Sequence, residues 1–280
     1  MSDEEFRLIR DFLVARVGLY FDEQMKFLLE RRLYRRLELR QMKDYRSYAQ
    51  FLRYDPKAAA ELDEMVELLT TNETYFFREA YQLDALTGEV IPELVEQKKR
   101  RGERRLRLWS AGCSSGEEPY TLSILMLEHP LLAGWETEII GTDINQRVLA
   151  KARTGIYTEH SLRGVPEGRM DRYIERYPDG RFRITDEVRR PVTFGAANLL
   201  DRSKLAFLMD VDVILCRNVL IYFDAARKRG VIDLFHEKLV PGGFLLLGHS
   251  ESLLNLSTRF QLRHLATDMV YQRPPKEAGA

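Results

Sequence analysis

The chain of 280 residues is long enough for one large domain or two smaller ones, and it needs no disulfide or metal staple to hold a core. Lys and Arg number 43 against 43 Asp and Glu, so the formal charge is zero and a polyelectrolyte built to coat nucleic acid is excluded. An apolar share of 45% with 31% charged residues excludes a disordered chain, and apolar runs such as 122–127 fall well short of the roughly 18 residues that span a bilayer. The N-terminal stretch MSDEEFRLIR is acidic and does not read as a leader. Cys113 and Cys216 lie far apart inside apolar runs, with no CxxC and no zinc spacing, and the five histidines show no ligand spacing. The expectation is a cytoplasmic protein with no membrane insertion, no disulfide and no metal.

From Glu4 to about Thr70 apolar residues recur at three and four: Phe6, Ile9, Phe12 and Leu13, then Phe27, Leu28, Leu33 and Leu37, then Leu62, Met65, Val66 and Leu69. This predicts a small all-helical domain over 1–70, cut near Gly18 and Asp55-Pro56. A linker segment and helix over 71–104 follow. From 105 the texture becomes strand, turn, helix, strand: strands at 106–111 and 138–143, helices at 117–128 and 145–152. Such a run calls for a parallel sheet covered by helices, so the fold class is α/β. Later strands fall at 212–216 and 244–248, and the helix between them takes Asp224 as N-cap and Gly242 or Gly243 as stop. Two extended segments, 259–265 and 268–273, end the chain. The polar stretch at about 158–191 breaks the alternation; its Pro178-Asp179-Gly180 turn followed by RFRI predicts a small inserted antiparallel β subdomain within a Rossmann-like domain over 105–280. No heptad seam appears, so a monomer is expected.

The strand at 106–111 runs into Gly112 and Gly116, a tight turn at the carboxyl end of a parallel strand, where such sheets bind ligands. Glu117 and Glu118 open the next helix; two carboxylates there oppose a pyrophosphate and favour a cationic ligand. Asp143 ends the second strand roughly 25 to 30 residues on, where an acidic side chain takes ribose hydroxyls, or else it caps the helix beginning near Asn145. A ribose-bearing cationic cofactor is S-adenosylmethionine.

The segments NETYFFRE (72–79), WSAGCSSGEEPY (109–120), GTDIN (141–145), ARTGIY (152–157), NLL (198–200), CRNVLIYF (216–223) and LVPGGFLLLGHSES (239–252) together resemble the ordered motifs of CheR-type chemotaxis receptor methyltransferases. The resemblance runs over about residues 5–273. It implies an S-adenosylmethionine-dependent Rossmann-like domain preceded by a helical domain, with an inserted β subdomain that helps dock receptors. It implies cofactor contacts from Asn72, Thr74 and Arg78, the last beside the methionine carboxylate, from the glycine turn at Gly112, and from Glu118 and Asp143. It further implies that Asn198 and Leu199 border the adenine and that Arg217, Asn218 and Tyr222 line the reacting end. Methyl transfer to a receptor glutamate then follows, with Arg78 and Tyr222 placing the reacting carboxylate. The Pro-Asp-Gly-Arg turn of the insertion is shorter than the glycine-containing loop by which some relatives bind a receptor C-terminal pentapeptide.

The acceptor implied is the cytoplasmic helical domain of methyl-accepting chemotaxis receptors. Arg32, Arg36 and Arg40 recur every four residues in the second predicted helix, with Arg31 and Arg35 beside them. This basic stripe is either a solvated face or a dock for an acidic receptor helix. Two other readings stay open from the residues: a methyltransferase with a different acceptor, such as RNA or a small acid, and a non-catalytic module that binds S-adenosylmethionine or S-adenosylhomocysteine and signals through the helical domain.

Overall fold

The computed structural model describes residues 1–70 and 73–276. Its N-terminal part is four helices: α1 (Asp3–Arg16), α2 (Lys26–Leu39), α3 (Tyr45–Tyr54) and α4 (Ala58–Leu69). Ser2 opens α1 with a capping box, its hydroxyl accepting the Glu5 N–H while the Glu5 carboxylate takes the Ser2 N–H. The apolar stripes of all four close on one core that includes Ile9, Leu13, Leu33, Tyr48, Leu52 and Met65.

At the edge of that core lies a charge. Glu61 of α4 has no exposed surface, and it accepts from Arg36 Nε and Nη2 at 2.9 and 2.7 Å, from Arg40 Nε at 2.8 Å and from the Tyr48 hydroxyl at 2.6 Å. Arg32 Nη1 donates to the Leu69 carbonyl at the end of α4, 2.8 Å away. Arg32, Arg36 and Arg40 are the stripe expected to be either a solvated face or a dock. They turn toward α4, because its buried carboxylate and its open C-terminal carbonyls need donors. The face that α2 shows to solvent carries Arg31 and Arg35 with Phe27 and Tyr34, 73% and 54% exposed.

A helical segment links the two parts, with α5 (Ala80–Ala85) running through a π-helical turn at Leu86–Val90 into α6 (Ile91–Arg100). Then come β1 (Arg105–Ala111), α7 (Glu117–Glu128), β2 (Glu136–Asp143), α8 (Gln146–Thr154), β3 (Ile156–Tyr157), α9 (Glu159–Leu162), α10 (Glu167–Tyr173), β4 (Ile174–Arg176), β5 (Phe182–Ile184), α11 (Asp186–Arg189), β6 (Val192–Ala196), β7 (Val211–Cys216), α12 (Ala225–Lys238), β8 (Leu239–Leu247), β9 (Gln261–His264) and β10 (Met269–Gln272). The main sheet has the order β6-β2-β1-β7-β8-β10-β9. Its first five strands are parallel, with Leu108 opposite both Ile139 and Val213, and β10 and β9 close it as an antiparallel edge. Buried clusters on both faces fit the apolar runs of β1 and β7.

Three features depart from the sequence reading. Strand β6 was not expected; it sits at the sheet edge, half-covered, and Thr193 and Gly195 interrupt its apolar pattern. Helix α12 ends at Lys238, ahead of the glycines, and the chain enters β8 at once, absorbing Pro241-Gly242-Gly243 in a register shift opposite Val211 and Val213. The small antiparallel sheet, in the order β3-β5-β4, takes its first strand from Ile156–Tyr157, just before 158, while β4 and β5 pair as the hairpin expected around Pro178-Asp179-Gly180. No helix among the described residues is long and apolar enough to cross a membrane.

Candidate active site

The loops that follow β1, β2, β6 and β7 lie at the carboxyl end of the sheet, and together with residues 73–78 they line a cavity. Its floor is pinned by backbone bonds. Gly112, with φ of 84°, and Cys113 both donate to the Thr142 carbonyl, at 2.7 and 2.9 Å, so the turn after β1 is tied to the end of β2. Asp143 ties them again, with Oδ2 accepting from Ser114 N and Oδ1 from Asn145 N, each at 2.8 Å. The cap of α8 is Asn145, whose side-chain oxygen takes the Arg147 and Val148 N–H groups. Asp143 is thereby left to the loops and the cavity, and burial pushes its carboxyl pKa up against these backbone donors.

The acidic start of α7 does not face a ligand as two free charges, which corrects that part of the sequence argument. Glu117 is 1% exposed and turns inward, accepting the hydroxyls of Ser115 at 2.7 Å and Ser161 at 3.0 Å. Glu118 does line the cavity, but its oxygens are taken by Ser110 Oγ at 2.6 Å and Arg217 Nη1 at 3.0 Å. Arg217 also reaches Glu79 Oε2 at 2.9 Å and the Arg78 carbonyl. Burial lowers the Arg217 pKa, and the Glu118 and Glu79 carboxylates outweigh burial and raise it, so this guanidinium is a fixed cation in the wall.

Residues 73–78 form the cover. Phe76 and Phe77 are buried, and their N–H groups donate to Ser161 O at 2.9 Å and Thr121 Oγ1 at 3.1 Å, which presents Thr74, Tyr75 and Arg78 to the cavity. The Arg78 guanidinium donates to the Glu73 carbonyl at 2.7 Å and has no carboxylate partner among the described residues. Asn72, expected beside Thr74, lies outside the described residues. On the far wall Asn198 and Leu199 follow β6; Asn198 Oδ1 accepts Leu200 N at 3.0 Å and its Nδ2 donates to Arg16 O at 3.3 Å. Asn218, Ile221 and Tyr222 form the remaining side, where the Tyr20 N–H donates to the Tyr222 carbonyl at 2.9 Å.

Val17 and Leu19, between α1 and α2, also line this cavity, a contribution that sequence reasoning missed. Their only sequence mark is the break at Gly18. Two buried atoms of lining residues, Ser114 Oγ and Asn218 Oδ1, have no hydrogen-bond partner among the described residues. The cavity thus offers a guanidinium with no carboxylate partner among the described residues, a buried carboxylate, two oxygens without a partner among them, and an apolar side at Val17, Leu19 and Leu199. A ligand with a carboxylate, hydroxyls and a flat ring suits it. Both cysteine thiols are buried and their pKa values are pushed up by burial, which suits packing and not nucleophilic work. Among the described residues no group of three or more His, Cys, Asp or Glu is placed to hold a metal ion.

Two family profiles match the chain: the all-alpha domain of CheR methyltransferase over residues 4–70, and the CheR methyltransferase SAM-binding domain over 72–269. Chemotaxis protein methyltransferase 2 of Vibrio cholerae is 38% identical over 277 residues, 99% of this chain and 95% of that protein. Chemotaxis protein methyltransferase 1 of Pseudomonas aeruginosa is 36% identical, covering 97% of this chain and 98% of its own. The chemotaxis protein methyltransferase of Borreliella burgdorferi is 35% identical, with 90% and 89% covered.

Proposed function

The chain belongs to the CheR methyltransferase family, and on that premise we propose that it transfers the methyl group of S-adenosylmethionine to glutamate side chains of methyl-accepting chemotaxis receptors, in the cytoplasm, giving glutamate 5-O-methyl esters. The observation that carries the reading is that the cavity wall is built from the segments that hold the motifs: 73–78, 112–118, 143, 198–199 and 217–222. Arg78, free of any carboxylate among the described residues, would hold the methionyl carboxylate, and Asp143 the ribose hydroxyls. Asn198 and Leu199 would border the adenine, and Thr74 and Gly112 would be further cofactor contacts. Ser114 Oγ is left to meet a remaining polar group of the cofactor, and Asn218 Oδ1 is left to the reacting end.

When bound, the cofactor supplies an electrophilic methyl group on a cationic sulfonium. The acceptor needs no general base, because a glutamate with a pKa of about 4.3 is already ionised at neutral pH. No histidine lines the cavity, in keeping with that economy. What the protein supplies is placement and exclusion of water. Tyr222 and Arg78 both line the cavity and would align the incoming carboxylate. Arg217, neutralised by two glutamates, would shape the wall without trapping the acceptor as an ion pair.

The receptor would be met by the solvent face of α2. Arg31 and Arg35 there can pair with acidic side chains of a receptor helix while Phe27 and Tyr34 supply apolar contact. The test is peptide mass spectrometry of receptor-containing membranes incubated with enzyme and S-adenosylmethionine. The reading expects the added methyl mass on receptor glutamates. Methyl groups on other residue types, or none despite cofactor binding, would favour a different acceptor or a signalling module.

A further inference from the structure

The motif residues 248–252 contribute nothing to the cavity lining, yet the Glu251 carboxylate supports the reacting wall from behind. Its Oε2 accepts the N–H of Asn218 at 2.8 Å and of Gly248 at 2.9 Å, and its Oε1 accepts the N–H of Ile221 at 3.3 Å. Three backbone donors from two loops converge on one side chain. Asn218 sits at a φ of 60°, a left-handed conformation that asparagine accepts more readily than other non-glycine residues, and its N–H is aimed at Glu251. The contact is closed on its other side as well. A Cβ on Gly248 would stand 2.8 Å from Asn218 N and 2.8 Å from Glu251 Oε2, so only glycine lets the two loops approach.

The two ends of the 217–222 wall are held by different means. Arg217 is fixed by Glu79, Glu118 and the Arg78 carbonyl. The N–H groups of Asn218 and Ile221 have no acceptor other than Glu251 among the described residues. We propose that Glu251 is the positioning residue of the acceptor side: it sets the turn over 218–221 that presents Asn218, Ile221 and Tyr222 to the cavity, while the cofactor side is held independently. Glu251 itself touches neither ligand, and the proposal rests on the reading of 217–222 as the reacting wall.

Glu251→Gln keeps the size of the side chain but replaces one accepting oxygen with an NH2 group that cannot accept a backbone N–H. Receptor methylation should lose on the order of ten- to a hundredfold in kcat, the scale on which misplacement near a reacting centre acts. Affinity for S-adenosylhomocysteine, measured by calorimetry, should stay within about threefold, less than one tenfold step in Kd. Amide hydrogen exchange over 218–221 should quicken. Gly248→Ala presses on the same contact from the opposite side and should give the same split between kcat and cofactor affinity. A parallel loss of both, an unchanged kcat, or unchanged exchange over 218–221 would overturn the assignment. If the wild-type protein methylates no receptor, the reading of the reaction fails, and the exchange measurement still decides whether Glu251 holds the turn.

Discussion

Glu61 shows how a single buried charge is kept ionised. Burial alone would raise its carboxyl pKa, but the Arg36 guanidinium, the Tyr48 hydroxyl and Arg40 together lower it from 4.5 to about 2. Because the folded pKa is the depressed one, its contribution is present in full above pH 4.5 and is lost as pH falls toward about 2, and it amounts to about 3 kcal/mol by linkage. Thermal melts between pH 6 and pH 3 should therefore show the wild type losing stability that Glu61→Gln never had. At neutral pH that variant should be destabilised by about 3 kcal/mol, since Arg40 loses its carboxylate and Arg36 keeps only Glu64. A melt of Glu61→Gln that matches wild type at pH 7 would contradict this. In the cavity, Arg78→Met should weaken S-adenosylhomocysteine binding by about ten- to a hundredfold, the worth of a charge-assisted hydrogen bond. Tyr222→Phe should bind it normally and transfer methyl groups slowly. Calorimetry and initial rates separate the two, and equal losses in both variants would undo the division of roles.

At the scale of elements, α2 has two basic faces, one turned to Glu61 and the end of α4 and the other to solvent. Arg36→Glu sets a carboxylate against Glu61 and should melt the helical domain, whereas Arg31→Glu with Arg35→Glu should leave the melting temperature unchanged and weaken receptor methylation and its salt dependence. Unchanged methylation in the double variant would mean that the exposed face is only solvated. The sequence showed the arginine spacing but not its direction, because helical periodicity says which residues share a face and is silent about which partner that face meets. The partner is Glu61, which appears in sequence as an ordinary acidic residue of an amphipathic helix. The helix at Glu117–Glu128, an apolar run opened by Gly116, and the Asp224 cap of α12 were legible to the residue. Strand β6 was not, since an edge strand half-covered by its neighbours carries no continuous apolar run. In the site, the motif-bearing turns were legible; the pairing of Glu118 with Arg217 was not, because 99 residues separate two charges that only the sheet order brings together.

Across the whole molecule, the helical domain is part of the site and not an appendage to it. Val17 and Leu19 close the cavity, the Arg16 carbonyl holds Asn198, and the Tyr20 N–H holds the Tyr222 carbonyl. Ion pairs from Arg147 of α8 to Glu64 and Glu67 of α4 join the two parts on the same side. A receptor helix lying on α2 would therefore meet a surface continuous with the turn that carries Tyr222. The small sheet is tied in from the other direction, with Ser161 accepting the Phe76 N–H and donating to Glu117, and Arg163 stacked 3.9 Å over Tyr75. Both additions to the α/β core thus brace the walls of one cavity, which suits a protein whose substrate is another protein.

In the proposed function this cavity carries methyl groups to carboxylates. The most direct measurement uses methyl-labelled S-adenosylmethionine, receptor-containing membranes and a final treatment with alkali. A glutamate methyl ester releases its label as volatile methanol, so base-labile label is expected on a receptor-sized band, reduced by Tyr222→Phe. Label that survives alkali would place the methyl group on another kind of atom and contradict the assignment.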